Sequence, residues 1–204
     1  MVRVLVGPDT DDLDALYAAP RRPWLRVNMI STVDGAATGD SGKSGSINNA
    51  VDKRVFHLLR SQCDVIVVGA GTARIEGYGP AVRPLVVVSR QETVPDGLRD
   101  APPGAVTVEP LGDPVAFKAS LVERGWTNIL CEGGPTLLRA LLAAGVVDEL
   151  CATTVPRLIG GDHLRITHGA PVDVPLELHT LIEAEGTLLA RWWVSPGSES
   201  AAAP

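Results

Sequence analysis

The sequence predicts an α/β fold: a central, mostly parallel mixed sheet flanked by helices, with a C-terminal antiparallel β-hairpin. Three observations carry this. Short continuous apolar runs recur at residues 24–30, 65–68, 85–88, 129–131 and 146–155, as expected of strands buried on both faces. Helix-like amphipathic stretches lie between them, the alternation that builds a sheet with helices on both sides. Finally, 176–183 and 187–194 flank Glu185-Gly186, a turn pair between two strand-like runs, which adds antiparallel strands at one edge.

Each helix has a start signal. The first runs from Asn48/Asn49 to Arg60, with asparagine as N-cap and Val51, Val55, Phe56, Leu58 and Leu59 on one side. The second opens at Asp113-Pro114, a cap followed by proline at the first helical position, and ends near Arg124-Gly125. The third opens at Gly134-Pro135, carries Leu137, Leu138, Leu141 and Leu142, and stops at Gly145. Residues 90–104 read as a surface loop, and the acidic stretch 9–14 as a solvated excursion. The expected organisation is a single domain over residues 1–194 with a disordered tail at 195–204.

Composition narrows the function. A chain of 204 residues with 45% apolar content buries roughly 70% of its unfolded surface, enough for a core without staples. A net charge of −6 argues against a nucleic-acid or anionic-membrane binder, and no apolar run approaches the ~20 residues of a membrane span. Cys63, Cys131 and Cys151 form no Cys-x-x-Cys pair and read as reduced, buried thiols of a cytoplasmic protein. The four histidines, His57, His163, His168 and His179, lie in unrelated contexts, so no metal site is expected. Residues 43–90 nevertheless hold seven basic side chains against three acidic ones, a local excess that suits an anionic small ligand.

Two segments carry the chemistry. Val68-Gly69-Ala70-Gly71-Thr72-Ala73-Arg74 follows a strand and opens a short helix; its glycines let a phosphate approach backbone N–H groups. A dinucleotide fingerprint would place a third small residue where Arg74 stands, so this partial motif also fits a plain turn. The next strand ends in Ser89-Arg90, a hydroxyl and a guanidinium that suit a ribose 2′-phosphate, although Arg90 also reads as a solvated loop residue. Cys131-Glu132-Gly133-Gly134-Pro135-Thr136-Leu137 is the more specific segment. Two glycines allow close approach, Pro135 presets the first helical turn, and the helix N-terminus attracts an anion. Glu132 falls at a strand's carboxyl end, where open α/β sheets bind ligands. Asp34-Gly35 is a turn pair.

Taken in order, Ser31-Thr32-Val33-Asp34-Gly35, Gly42-Lys43-Ser44, Leu58-Leu59-Arg60, residues 64–72, Glu132 to Leu137, and Pro156 through Gly160-Gly161 resemble the riboflavin-pathway pyrimidine reductases of the RibD C-terminal type. The resemblance covers roughly residues 22–194 and implies a dihydrofolate-reductase-like fold. It implies a stand-alone reductase, since the zinc-deaminase signature of bifunctional relatives does not occur in this sequence. The implied reaction is NADPH-dependent reduction of 5-amino-6-(5-phosphoribosylamino)uracil, or a closely related pyrimidine, to the ribitylamino phosphate.

Carried over residue by residue, the resemblance lines the NADPH position with Ser46, Thr72, Glu76, Ser89, Gly134, Pro135, Thr136 and Leu137, and the turn and strand-end chemistry above adds Gly69, Gly71, Arg90 and Gly133. Ser44, Arg60, Arg83 and Glu132 would face the substrate, the two arginines holding its phosphate. Asp34 would lie near the nicotinamide, and Glu132 would order the reacting end of the substrate or act as general acid. Two stretches depart from the pattern. Gly77-Tyr78-Gly79-Pro80-Ala81-Val82-Arg83 stands where many members carry Asp-Pro-x-Leu-Thr-x-Arg, and Ser46 stands where some carry tryptophan. The family also implies a homodimer, to which Trp192-Trp193 on the last strand could contribute; alternation makes one of these core and the other partly exposed. A dihydrofolate or pterin reductase of the same fold and a non-catalytic NADPH-binding protein are the alternative functions.

Overall fold

A computed structural model describes residues 2–195; the expected tail at 195–204 lies outside the described residues except for Ser195. In chain order the elements are β1 (Arg3–Val6), α1 (Leu13–Leu16), β2 (Trp24–Thr32), α2 (Ala50–Gln62), β3 (Val65–Gly69), α3 (Ala70–Glu76), β4 (Leu85–Val88), β5 (Val106–Glu109), α4 (Pro114–Glu123), β6 (Asn128–Cys131), α5 (Pro135–Ala143), β7 (Glu149–Val155), β8 (Leu176–Ala184) and β9 (Thr187–Val194). All nine strands join one sheet in the order β1-β8-β9-β7-β2-β6-β3-β4-β5. Strands β7 to β5 in that order run parallel, while β1, β8 and β9 add antiparallel pairs. The mixed α/β sheet with its C-terminal hairpin is as the sequence predicts.

Side-chain alternation sorts each central strand between two cores. Val65 and Val67 of β3 face a cluster with Phe117, Leu121, Leu138 and Leu141 of α4 and α5. Ile66 and Val68 face the opposite cluster, with Val51, Val55 and Leu59 of α2 and Ala73 of α3. Burial on both faces is why these strands carry apolar runs rather than alternating polarity. The caps also match expectation: Asn49 accepts the Asp52 N–H, and Asp113 accepts those of Val115 and Ala116.

The structure differs from the sequence reading in four places. Residues 146–148 are not strand, because the Val146 N–H still closes α5 by donating to the Leu141 carbonyl (3.2 Å). Two short outer strands extend the predicted sheet, β1 pairing with β8 beyond the hairpin and β5 with β4 at the opposite edge. Within the stretch 9–14, Asp12 caps α1 by accepting the Asp14 N–H, and the helix buries Leu16. Trp192 and Trp193 are both half-buried rather than divided between core and surface; Trp193 stacks on His179 at 4.1 Å and meets Trp24 edge-on at 6.3 Å.

At the heart of the antiparallel half lies a fully buried carboxylate. Glu149 accepts from Arg26 Nη2 (2.9 Å), Trp24 Nε1 (2.6 Å) and Arg191 Nε (2.6 Å). Arg191 in turn donates to the carbonyls of Leu16 and Ala18, fastening the N-terminal segment to β9.

Candidate active site

The carboxyl ends of β6, β3 and β4 stand side by side, and each ends in a segment the sequence had singled out. At β6, Glu132 donates its backbone N–H to the Val67 carbonyl (2.9 Å), and Gly69 of β3 returns one to the Gly133 carbonyl (2.8 Å). The two turns are therefore one cradle. The Gly133–Gly134 peptide is cis and Gly133 has φ 79°. Side chains do not fit here: a Cβ on Gly133 would meet Met29 Sδ at 2.9 Å, and one on Gly134 would meet Thr72 Oγ1 at 2.3 Å. Neither Gly69 nor Gly134 caps its helix with a side chain, which leaves first-turn N–H groups of α3 and α5 to an incoming anion.

Beside the cradle, between α2 and α3, opens a cavity of about 370 Å³. Of the expected residues, Ser44, Thr72, Glu76, Glu132, Gly134 and Pro135 line it. The Ser44 N–H donates to Glu76 Oε1 (2.7 Å), tying the loop before α2 to α3. Glu132 is held from two sides: Arg60 Nε and Nη2 each donate at 2.7 Å, and the Tyr78 hydroxyl donates at 2.6 Å. The Arg60 guanidinium also lies 4.2 Å from the Phe56 ring centroid and 5.3 Å from that of Tyr78. Burial pulls the Arg60 pKa down, but the bond to Glu132 more than offsets it, and the net direction is up. Burial, reinforced by the Glu132 charge, pushes the Tyr78 phenol well above its usual value, so it serves as donor.

Other expected residues stand elsewhere. Arg83 donates to the carbonyl of Ser61, the neighbour of Arg60, and does not line the cavity. Asp34 is exposed; it accepts from the Thr32 hydroxyl and from the backbone of Ile159 and Gly160. Those bonds, Thr32 first, lower its pKa. It ties two loops together and does not reach the cavity. Ser46 Oγ accepts from Gly39 N and donates to the Lys43 carbonyl, closing its own loop. Gly69, Gly71, Gly133, Thr136 and Leu137 do not line the cavity; Gly71 and Thr136 are exposed, and Leu137 has its side chain in the core. Ser89 and Arg90 follow β4 beyond the cradle, with Ser89 Oγ accepting the Gln91 N–H and Arg90 exposed.

The sequence reading missed much of the wall: Asn28, Asn48, Asp52, Lys53, His57, Ile75, Tyr78 and Leu164. A signal existed. Asn28 is a polar residue within the apolar run of β2, and Asp52 and Phe56 lie four apart on α2, one face of a helix, with Asn48 just before its cap.

The sequence model of the RibD C-terminal domain matches residues 23–185. The riboflavin biosynthesis protein RibD of Mycobacterium tuberculosis is 30% identical over 176 residues, covering 72% of this chain and 49% of that protein. The chain thus spans about half the length of that relative. A 2,5-diamino-6-ribosylamino-4(3H)-pyrimidinone 5′-phosphate reductase of Methanothermobacter thermautotrophicus is 27% identical, over 74% of this chain and 87% of that one. Among solved structures, a pyrimidine reductase-like protein of Corynebacterium diphtheriae superposes with TM-score 0.73 at 25% identity, covering 85% and 92% of the two chains. A dihydrofolate reductase of Enterococcus faecalis shares the fold at TM-score 0.55 and 14% identity, over 85% and 97%. The chain therefore belongs to the RibD C-terminal domain family.

Proposed function

We propose that this chain reduces the ribosyl group of a 5-amino-6-(5-phosphoribosylamino)pyrimidine to the ribityl group, using NADPH. The observation that carries the reading is the shared glycine cradle of β3 and β6 opening onto the cavity that holds Glu132. The residues fit the cofactor: a Cβ at Gly71 would meet nothing within 4 Å, so the backbone there is open to a pyrophosphate. Gly69, Gly71, Thr72, Gly133 and Gly134 would hold that group, with Pro135, Thr136 and Leu137 opening the helix behind it. Ser89 and Arg90, one strand beyond β3 and about 5 Å from it, would take the 2′-phosphate. NADPH, when bound, supplies the hydride.

The chain's own residues bind, orient and exclude water. Both Glu132 oxygens already accept from Arg60 and Tyr78, so Glu132 acts as a positioning residue and not as a general acid. Arg60 is committed to that pair. Among the described residues lining the cavity, Lys53 is the one lysine or arginine, with His57 one turn further along α2; these two would meet the substrate phosphate at the mouth. A homodimer through the β8–β9 hairpin belongs to the same proposal.

The test is a steady-state assay of the purified protein with NADPH and the phosphoribosylaminopyrimidine. Turnover with the ribitylamino product supports the reading. NADPH binding without turnover of any pyrimidine or pterin leaves a non-catalytic binder, and absence of both binding and turnover removes the cofactor assignment as well.

A further inference from the structure

Glu132 is a buried anion with one more donor than its ion pair supplies. A carboxylate offers about four acceptor positions; Arg60 fills two with Nε and Nη2, and the Tyr78 hydroxyl fills a third. The guanidinium–carboxylate fork locks Arg60 and Glu132 to each other, yet a fork can still swing as a unit on two long side chains. Arg60 comes from α2 and Glu132 follows β6. Tyr78, which follows α3, reaches the pair from a third direction.

The backbone around Tyr78 is firmly held. Gly77 ends α3 in the left-handed conformation, φ 73°, and the Tyr78 N–H donates back to the Ala73 carbonyl (2.9 Å), which turns the phenol toward Glu132. At the far end of the same stretch, Arg83 donates to the Ser61 carbonyl on α2. Behind Tyr78 lies the 3₁₀ turn Asp96–Leu98, within residues that read as a surface loop in the sequence. Leu98 is 1% exposed, and Tyr78 packs against the core cluster to which it belongs, so the turn has no freedom to retreat. A Cβ on Gly97 would overlap the Tyr78 carbonyl oxygen; the turn and Tyr78 leave no room for a side chain between them.

We propose that Tyr78 is a positioning residue that holds the Glu132–Arg60 pair still, and that the turn Asp96–Leu98 sets this pair from outside the cavity by seating Tyr78. For what Glu132 orders, this rests on the reaction proposed above. With three acceptor positions filled, Glu132 keeps about one for a substrate donor, and Arg60 and Tyr78 together fix the direction in which it points. Misplacing reacting atoms by about an ångström can cost a hundredfold in rate, so the anchor is expressed in turnover. Tyr78 lies in the stretch that departs from Asp-Pro-x-Leu-Thr-x-Arg, at the place of a proline that could donate nothing. The anchor is therefore a feature of this chain.

The experiment has a kinetic and a spectroscopic arm, both on the full chain. Tyr78→Phe keeps the ring against Arg60 and removes the donor; kcat should fall about 10- to 100-fold, with KM for NADPH unchanged. Gly97→Ala should lower kcat in the same direction, yet add less than about threefold in the Tyr78→Phe background, since both act through one contact. If Gly97→Ala does not fold, Leu98→Val loosens the same turn and is read in the same way. The chain holds two tyrosines, Tyr17 and Tyr78, and burial raises both phenols, that of Tyr78 with help from the Glu132 charge. Tyrosinate absorbance should therefore stay low in the native protein at about pH 11, where free phenols are mostly ionised. Glu132→Gln should let one tyrosine ionise at lower pH, and that gain should vanish when Tyr78→Phe is added. Unchanged kcat in Tyr78→Phe overturns the positioning role while the proposed reaction stands. A Gly97→Ala effect undiminished by Tyr78→Phe overturns the role of the turn. A tyrosine titration indifferent to Glu132→Gln overturns the anchoring bond. A wild-type protein that titrates as expected but reduces no pyrimidine removes the proposed reaction and keeps the anchor.

Discussion

Gly134→Ala tests the shared cradle directly. The new Cβ would sit 2.3 Å from Thr72 Oγ1, well inside the 3.0 Å that such contacts essentially never breach, so α3 and α5 must part by several tenths of an ångström or Thr72 must change rotamer. The backbone itself tolerates alanine, because Gly134 has φ −77°. The cost is thus steric, and overpacking of this kind runs to about 1–3 kcal/mol. For a chain of this length each kcal/mol lowers Tm by about 2–4 °C, giving a drop of roughly 2–12 °C. Thr72→Ala removes the colliding atom and should change Tm by little alone, yet recover most of the loss in the double variant, a coupling that contacting residues show in double-mutant cycles. Thermal denaturation by circular dichroism measures all four proteins. NADPH titration in parallel should show Gly134→Ala weakened by at least about tenfold. An unchanged Tm in Gly134→Ala, or a double variant no better than the sum of the singles, refutes the idea that the two turns are one rigid unit.

Other outcomes follow from the same geometry. The guanidinium groups of Arg26 and Arg191 overcome the burial of Glu149 and hold its pKa at about 2, against an ordinary 4.5. Its contribution of about 3 kcal/mol is fully present above pH 4.5 and is lost as pH falls toward 2; in acid denaturation, Glu149→Gln should flatten that limb while costing about 3–5 kcal/mol at neutral pH. Burial pushes the Cys63 and Cys131 thiols up to about 12, and Cys151 is also buried and raised. A thiol reagent at pH 8 should therefore label none of the three in the native protein and all three in urea. Arg90→Ala should narrow the NADPH-over-NADH preference; an unaltered ratio removes Arg90 from the cofactor site. Lys53→Ala should raise KM for the phosphorylated substrate by roughly 3- to 10-fold with kcat little changed, an effect that fades in high salt because the side chain is exposed. If Arg60→Ala alone gives that pattern, the phosphate belongs to Arg60 after all.

What the sequence disclosed follows from how local each signal is. Leu85–Val88 and the caps at Asn49 and Asp113 declare themselves within a few residues, so periodicity and capping chemistry find them. The glycine cradle is equally local, since close backbone approach leaves few residue choices. β1 and β5 escaped because each is a four-residue strand, and partly exposed outer strands of that length look like loop. Asp34 misled because a carboxylate before glycine suits both a turn and a ligand, and only the backbone of Ile159 and Gly160 decides between them. Asp52 escaped for the opposite reason. Beside Lys53 and Arg54 it reads as one of a run of solvated charges, and its burial depends on β2 and β7, which a one-dimensional pattern does not place against it.

The Arg191 guanidinium carries one further consequence. It reaches across the sheet to the carbonyls of Leu16 and Ala18, yet the shared ancestral module begins only at residue 23. The boundary drawn by descent is therefore not the boundary drawn by cohesion. A fragment begun at residue 23 but keeping β9 would strand the Arg191 cation in the interior with two acceptors gone, and would expose the hydrogen-bonding rim of β8 that β1 now shields. Anyone shortening this protein for crystallisation or fusion should retain the first twenty residues as part of its foundations.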